Sequence, residues 1–224
     1  MQNLDVSTIV FAIVAIFVIF KLRSVLGTRT GAERPPAEPP AAGSLRGNIL
    51  KFNQTAPAAA PPVDRWRGVA APESPLAAGL DAIAARESGF DPAHFVSGAR
   101  AAYEMVVTAF AAGDLTTLRR LLSADVLANF ARAIEARNVA GQTMTTTLVS
   151  IDAADLVDAR VTGAMASVAV KFATKLTSVT VDPAGAVVEG SPTDVADHQE
   201  IWTFSRELGA RDPNWLLSAT ESAP

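Results

Sequence analysis

The sequence predicts an α+β domain, in which helices cover one side of a curved antiparallel sheet, preceded by an apolar N-terminal helix and a proline-rich linker. Three observations predict this arrangement. Apolar residues recur at helical spacing before Gly141, alternate with polar residues after it, and form an unbroken run near the N-terminus. We divide the 224 residues into an anchor (1–26), a flexible linker (27–74) and a folded domain (75–224).

The N-terminal run predicts a transmembrane helix. Ile9 to Phe20 contains no charge, and the apolar stretch that includes it is just long enough to cross a hydrocarbon core of ~30 Å. Positive charge follows the run and no small-residue cleavage pattern does, which favours a retained anchor over a signal peptide and leaves an interfacial helix as the alternative. The residues expected within the membrane are Val6, Ile9, Phe11, Ile13, Ile16, Phe17 and Phe20.

Basic residues directly after the run predict its orientation. Lys21, Arg23 and Arg29 lie on its C-terminal side, so the positive-inside bias places the rest of the chain in the cytoplasm. The same residues are expected to attract anionic lipid, at about 1 kcal/mol for each charge close to the membrane surface. A single-pass topology with a cytoplasmic C-terminal domain follows.

The next stretch has the composition of a spacer. It is rich in Pro, Ala and Gly, as in "ERPPAEPPAAG", and cannot bury enough apolar surface to offset its chain entropy. Two short islands, Leu45 to Phe52 and Val63 to Val69, place an aromatic residue beside basic ones. They indicate either a weakly adhesive linker or contacts with a partner or with lipid headgroups.

Three or four consecutive helices are predicted to open the folded domain. Residues 75–88 carry Leu and Ile at helical spacing, despite Gly79. Pro92 suits the first position of a second helix, and Gly113 suits the position after its last turn. The N-caps predicted for the second and later helices are Asp91, Asp114 and Ser123.

Strands are predicted after Gly141. The segments "TMTTTLVSI", "DLVDARVT", "MASVAVKFATKLTSVTV", "ADHQEIWTFSREL" and "NWLLSATE" are rich in Val, Thr, Ile and aromatic residues. Residues 182–185, "DPAG", have the composition of a turn. Gly209 to Asn214 are expected to form a hairpin corner before Trp215 enters the core face; the turn does not need Arg211, which leaves a partner contact open.

The two periodicities also predict which side chains face the core or a pocket. Helical spacing selects one stripe on two helices, and strand alternation selects one face of the sheet. The selected residues are Phe95, Tyr103, Val106, Phe110, Phe130, Val168, Val170, Phe172, Trp202, Phe204, Trp215 and Leu217.

Composition excludes several functions. The chain has no cysteine and only two histidines, His94 and His198, so we expect no metal site and no cofactor. From Gly89 onward sixteen Asp and Glu stand against ten Lys and Arg, which argues against nucleic-acid binding.

The folded domain resembles a known family. The stretches "GFDPAHFVSGARAAYEMVVTAFAAGDLTTLRRLLSADV" and "EGSPTDVADHQEIWTFSRELGARDPNWLLSAT" are similar to the mitochondrial inner-membrane translocase subunit 44, especially to its bacterial TimA-type adaptors. The resemblance implies a nuclear transport factor 2-like cone with an apolar pocket, in a protein of the bacterial inner membrane. The mitochondrial relatives recruit a motor through a long preceding region, which an Ala/Pro spacer replaces here.

Three functions remain open. The first is a non-catalytic adaptor that binds a protein partner or lipid through its pocket, in protein transport or membrane-protein assembly, with no catalytic residues. The second is a pocket enzyme, in which Tyr103 would act with Asp155, Asp158 or Glu200 as base. The third is a scaffold subunit that associates with its own copies; the sequence does not determine the oligomeric state.

Overall fold

The computed structural model describes residues 65–223, which form helices followed by a sheet. The predicted anchor and most of the predicted linker lie outside these residues. Within the described part, no helix combines the length and the apolar character needed to cross a membrane. The helices are α1 (Pro75–Ala84), α2 (Pro92–Ala112), α3 (Leu115–Leu121) and α4 (Ala124–Val139), and the strands are β1 (Thr143–Thr162), β2 (Met165–Val181), β3 (Val187–Glu207) and β4 (Leu216–Ser222).

The helices begin and end where the capping residues predict. The Asp91 carboxylate accepts a hydrogen bond of 2.8 Å from the backbone N–H of His94, and Pro92 opens α2. Gly113 ends this helix at φ 71°, a left-handed conformation that favours glycine. The side chains of Asp114 and Ser123 cap α3 and α4 in the same way.

The sheet is an antiparallel meander in the order β1-β2-β3-β4, and the predicted α+β class is confirmed. The first two predicted strands are in fact one strand. β1 contains three register shifts, the last between Leu156 and Asp158, and these bulges interrupt the alternation that strand prediction depends on. The predicted turn is present, since the Asp182 backbone N–H donates to Ala186 and the Gly185 N–H donates to Asp182.

β3 is longer than predicted and longer than β2, with which it pairs. It begins at Val187, whereas the alternation becomes regular only near Ala196. A large irregularity separates the pairs Leu176–Ala196 and Ser178–Ser191, so that residues 192–195 of β3 lie opposite one residue of β2. β4 pairs only with Glu200–Ser205.

The core lies between the helices and one face of the sheet. Val168, Val170 and Phe172 on β2 are fully buried, whereas their outward neighbours Ser167, Lys171 and Ala173 are half-buried and only Ala169 among them is buried as well. On the outer face Lys175 joins Asp152 and Asp197 across three strands. Burial therefore alternates as the sequence pattern predicts.

Helix α1 lies in very close contact with β1. A Cβ atom placed on Gly79 would come within 1.8 Å of the backbone oxygen of Ala159. Leu80 and Ile83 of the same helix are fully buried in the core. The glycine that looks unfavourable for a helix is thus what permits the helix to approach the strand.

The described domain starts before the predicted boundary. Trp66 falls in the predicted linker, yet its side chain is buried and its indole N–H donates to the Asp81 carboxylate at 2.9 Å. The Arg65 guanidinium lies 4.7 Å from the centre of the indole ring. Residues 65–74 therefore belong to the folded domain, because a buried tryptophan adds more core area than the surrounding composition indicates.

The corner between β3 and β4 is built as predicted. Gly209 has φ 80°, and the Asp212 carboxylate accepts a hydrogen bond of 2.9 Å from the Asn214 backbone N–H. Trp215 then packs edge-on against Phe95, with ring centres 5.1 Å apart. Arg211 in this corner is exposed.

Candidate functional site

A cavity of about 260 Å³ lies between the helices and the inner face of the sheet. Helices α2 and α4 supply three of its aromatic side chains, β3 supplies Trp202, and all four strands contribute to its floor. Its walls are mostly apolar. The lining residues are Tyr103, Val106, Val107, Phe110, Phe130, Met144, Thr146, Leu176, Ser178, His198, Glu200, Trp202 and Thr220.

A hydrogen-bonded group of four side chains lies at one end of the cavity, and three of them line it. The Tyr103 hydroxyl donates to Oε2 of Glu200 at 3.1 Å, and it lies 3.0 Å from the Thr174 hydroxyl. The indole N–H of Trp202 donates to the same Oε2 at 3.2 Å. Because Glu200 and Trp202 are two residues apart on β3, strand alternation places both side chains on the inner face. The carboxylate is held in a fixed orientation.

Burial holds Tyr103 in its protonated form. Removal of the phenol from water, followed by the negative charge of Glu200, raises the pKa of Tyr103 well above its ordinary value. A protonated phenol can donate a hydrogen bond but cannot act as a base. Tyr103 therefore serves here to orient Glu200.

Two aromatic rings line the other end of the cavity, and Arg137 lies beside one of them, outside the lining. The rings of Phe110 and Phe130 meet at an angle of 64° with centres 5.0 Å apart. The Arg137 guanidinium, on α4, donates to the carbonyls of Phe110 and Ala111 at 2.8 and 2.9 Å, and to the sulfur of Met144 at 3.0 Å. Burial lowers the pKa of Arg137 from its ordinary value. This side chain joins α4, the end of α2 and the start of β1.

The predicted pocket or core residues divide into two groups. Tyr103, Val106, Phe110, Phe130 and Trp202 line the cavity. The others lie outside its lining, six of them buried in the core and the last half-buried at the corner: Phe95, Val168, Val170, Phe172, Phe204, Leu217 and Trp215.

Of the three predicted partners of Tyr103, the structure brings only Glu200 to it. Asp155 is exposed, and Asp158 forms an ion pair with Arg160. Sequence reasoning did not assign His198 to the cavity. A signal was available, since His198, Glu200 and Trp202 occupy alternate positions of one strand.

The residues that the structure describes contain no group of three or more His, Cys, Asp or Glu side chains arranged to hold a metal ion. The predicted membrane-spanning residues and the basic residues Lys21, Arg23 and Arg29 lie outside the described part of the chain.

Comparison with known proteins identifies one family. The model of the Tim44-like domain matches residues 76–222. No curated protein matches the chain. Among solved structures, the crystal structure of the intermembrane space region of the chloroplast protein ARC6 is similar, with 13% sequence identity over 59% of this chain and 97% of that one. The TM-score of this match is 0.45.

Proposed function

The chain belongs to the Tim44-like domain family, whose model covers residues 76–222, and on this premise we propose that it is a membrane-anchored, non-catalytic adaptor. Its domain binds a protein partner or lipid through the cavity, in protein transport or membrane-protein assembly. The anchor is residues 1–26, the linker carries the domain away from the membrane, and the domain has the nuclear transport factor 2-like cone shape.

The observation that carries the proposal is the cavity of about 260 Å³ with mostly apolar walls and one oriented carboxylate. Apolar cavities with a few placed polar groups are the usual form of a binding site. Catalysis is less well supported, because the proton of Tyr103 is directed at Glu200 and burial keeps the phenol protonated. Binding without chemistry accounts for each of these contacts.

The proposed location is the bacterial inner membrane. One span crosses the membrane, and the folded domain lies in the cytoplasm. The basic residues after the span favour this orientation. Lys21, Arg23 and Arg29 would add an attraction to anionic lipid. A reporter enzyme fused after Pro224 should be active only in the cytoplasm; activity confined to the periplasm would contradict the orientation.

Proximity labelling in live cells tests the adaptor function. The full chain is compared with a chain lacking residues 1–26 and with Thr146→Phe, which places a large ring at a half-buried position in the cavity wall. Thr145→Phe is the matched control, because Thr145 is the exposed neighbour on the same strand.

We expect the full chain and Thr145→Phe to label the same neighbours. Thr146→Phe should lose those that bind in the cavity, and the truncated chain should lose those at the membrane. If all four neighbour sets coincide, neither the cavity nor the anchor defines the function.

A further inference from the structure

The two carboxylate oxygens of Glu200 differ in the hydrogen bonds that they accept. Both hydrogen bonds that the carboxylate accepts, from Tyr103 and from Trp202, fall on Oε2. Among the described residues no donor reaches Oε1. The side chain is half-buried in the cavity wall, so Oε1 is the acceptor left for an occupant of the cavity. A carboxylate held by two donors needs little reorganisation when a third donor arrives.

The walls near this oxygen suit a cation. Aromatic side chains suit the aliphatic stem of an ammonium ligand and attract its charge, and Tyr103, Phe110, Phe130 and Trp202 all line the cavity. Glu200 is the one carboxylate among the described residues of the lining. An anionic headgroup would meet this charge with unfavourable Coulomb energy in a site of low dielectric constant. The cavity therefore selects against carboxylates and phosphates.

The positive charge of Arg137 does not oppose a cation at Glu200. Arg137 contacts Phe110, which is seven residues from Tyr103, or about 10 Å along α2. Its guanidinium donates to two carbonyls and one sulfur atom outside the Glu200 end. The cavity thus has an acidic end at Glu200 and an aromatic end at Phe110. The cation beside the aromatic end, Arg137, is already hydrogen-bonded.

The size of the cavity limits the occupant. A volume of about 260 Å³ is below the range of roughly 300–1,000 Å³ that holds a drug-sized ligand. It suits a side chain or two. A linear aliphatic stem with an ammonium tip fits both the walls and the acceptor.

We infer that the cavity takes the side chain of a lysine from a partner protein, with the ammonium group donating to Oε1 of Glu200 and the methylenes packed against the aromatic walls. This inference rests on the proposed adaptor function and names the group that the adaptor recognises. The ammonium hydrogen bond to a carboxylate is charge-assisted, so it supplies more affinity than a neutral one.

The three tryptophans provide a direct test. In the full-length protein, in non-ionic detergent micelles, each indole N–H gives its own nuclear magnetic resonance signal, assigned with single Trp→Phe variants. The probe is n-butylammonium, which reproduces the lysine side chain; n-butanol and butyrate are its neutral and anionic counterparts. Trp202 donates to Glu200 and reports on the site, whereas Trp66 and Trp215 lie outside the lining and serve as controls.

We expect n-butylammonium to shift the Trp202 signal saturably and to leave the other two unchanged. n-Butanol should bind about tenfold more weakly, and butyrate should not bind. Nα-acetyl-lysine methylamide should bind as n-butylammonium does. The assignment to a lysine is wrong if n-butanol binds as tightly as n-butylammonium. It is also wrong if n-butylammonium binds but Nα-acetyl-lysine methylamide does not.

Variants distinguish the effect of the Glu200 charge on binding from any effect on folding. Glu200→Gln keeps an oxygen that can accept from Tyr103 and Trp202, and should weaken n-butylammonium binding about tenfold while leaving n-butanol unchanged. Glu207→Gln, at an exposed position outside the cavity, should change nothing. Thr146→Phe should abolish binding of both probes. Equal affinity of Glu200→Gln and the natural chain for n-butylammonium would overturn the inference.

The two proposals fail differently. If n-butylammonium does not bind but Thr146→Phe still loses neighbours in cells, the cavity binds a partner through another group. If n-butylammonium binds through Glu200 but no neighbour depends on the cavity, the recognition chemistry is right and the adaptor function is wrong.

Discussion

Burial and Glu200 hold the hydroxyl of Tyr103 in its protonated form, and they outweigh the hydrogen bond with Thr174, which lowers its pKa. It donates to Glu200, it is paired with Thr174, and its ring is covered by Phe172 and Trp202 at centre distances of 4.9 and 4.4 Å. The phenolate would place a second negative charge beside Glu200 in a buried site. The structure therefore predicts a tyrosine that ionises only when the domain unfolds.

This prediction can be measured because Tyr103 is the only tyrosine. The ultraviolet absorbance of tyrosinate should stay absent in the folded protein near pH 10, where an exposed tyrosine is half ionised. Above this pH the unfolded chain loses a proton that the folded chain retains, so folding stability should fall as pH rises. Tyr103→Phe should lack this part of the pH dependence. Ordinary titration of the folded protein near pH 10 would contradict the described burial.

The carboxylate partner of Tyr103 could not be predicted from the sequence. The helical pattern identifies Tyr103 as a site candidate, but it leaves three carboxylates equal as candidates for its partner. The choice of Glu200 depends on the register that pairs Phe172 with Glu200 and Thr174 with His198. Registers depend on bulges and turns far along the chain, so local spacing could not select among the three.

Close packing of α1 on β1 gives a prediction at the scale of elements. In Gly79→Ala the new Cβ would meet the Ala159 backbone oxygen, and the helix must move away from the strand. We expect a loss of about 3 kcal/mol in the free energy of unfolding, measured by urea denaturation.

Gly98→Ala is the matched control for that helix–strand contact. Gly98 lies within α2, and a Cβ there would meet nothing within 4 Å. Alanine is the better helix former, so this variant should gain about 0.5–1 kcal/mol. If the two substitutions changed the free energy of unfolding equally, helix propensity and not packing would determine the effect at Gly79.

Arg137 connects three elements, and its removal should loosen them. Arg137→Ala leaves the carbonyls of Phe110 and Ala111 at the end of α2 without their charged donor. We expect a loss of about 1.5–3 kcal/mol in unfolding free energy and faster hydrogen exchange at that end of α2. Arg132→Ala on the exposed side of α4 should change stability by no more than about 0.5 kcal/mol. A similar loss in both variants would contradict this role of the Arg137 contacts, because alanine is the better helix former at both positions.

Helix ends were predictable from sequence, whereas strand ends were not. The caps Asp91, Asp114 and Ser123 act within three residues of their own positions, so local chemistry determines them. The bulges of β1 and the early start of β3 depend on pairing with β2. Pairing across the sheet is a tertiary property, and no local pattern encodes it.

At the scale of the whole molecule, the resemblance to the translocase subunit 44 family is confirmed by the match to the Tim44-like domain. The matched region begins at residue 76, which is ten residues after Trp66. Trp66 nevertheless belongs to the core, together with Leu80 and Ile83. The folded domain is therefore larger than the matched region.

Trp66→Ala tests this extension of the domain. Loss of a buried indole should reduce the free energy of unfolding by about 3–5 kcal/mol, measured by chemical denaturation. Val69→Ala in the same segment should cost no more than about 0.5 kcal/mol, because Val69 is exposed. If Trp66→Ala behaves as Val69→Ala does, residues 65–74 contribute nothing to stability and the domain begins at α1.

Among the described residues, β4 pairs with β3 only from Glu200 onward and Ala223 adds one hydrogen bond to Gln199, so the edge of β3 before Gln199 is uncovered. An uncovered strand edge with exposed valines, here Val187, Val188 and Val195, is a template on which another chain can add a strand. The irregularity at residues 192–195 interrupts that template. Pro192 offers no N–H group, and Asp194 adds charge.

Deleting Pro192–Asp194 would restore a regular pairing between β2 and β3 and remove both obstacles. The variant should then show a concentration-dependent increase in sedimentation that the natural chain does not show. The feature that makes β3 hard to predict from sequence is thus expected to be protective, because it interrupts a long strand edge that could otherwise join the edges of other molecules.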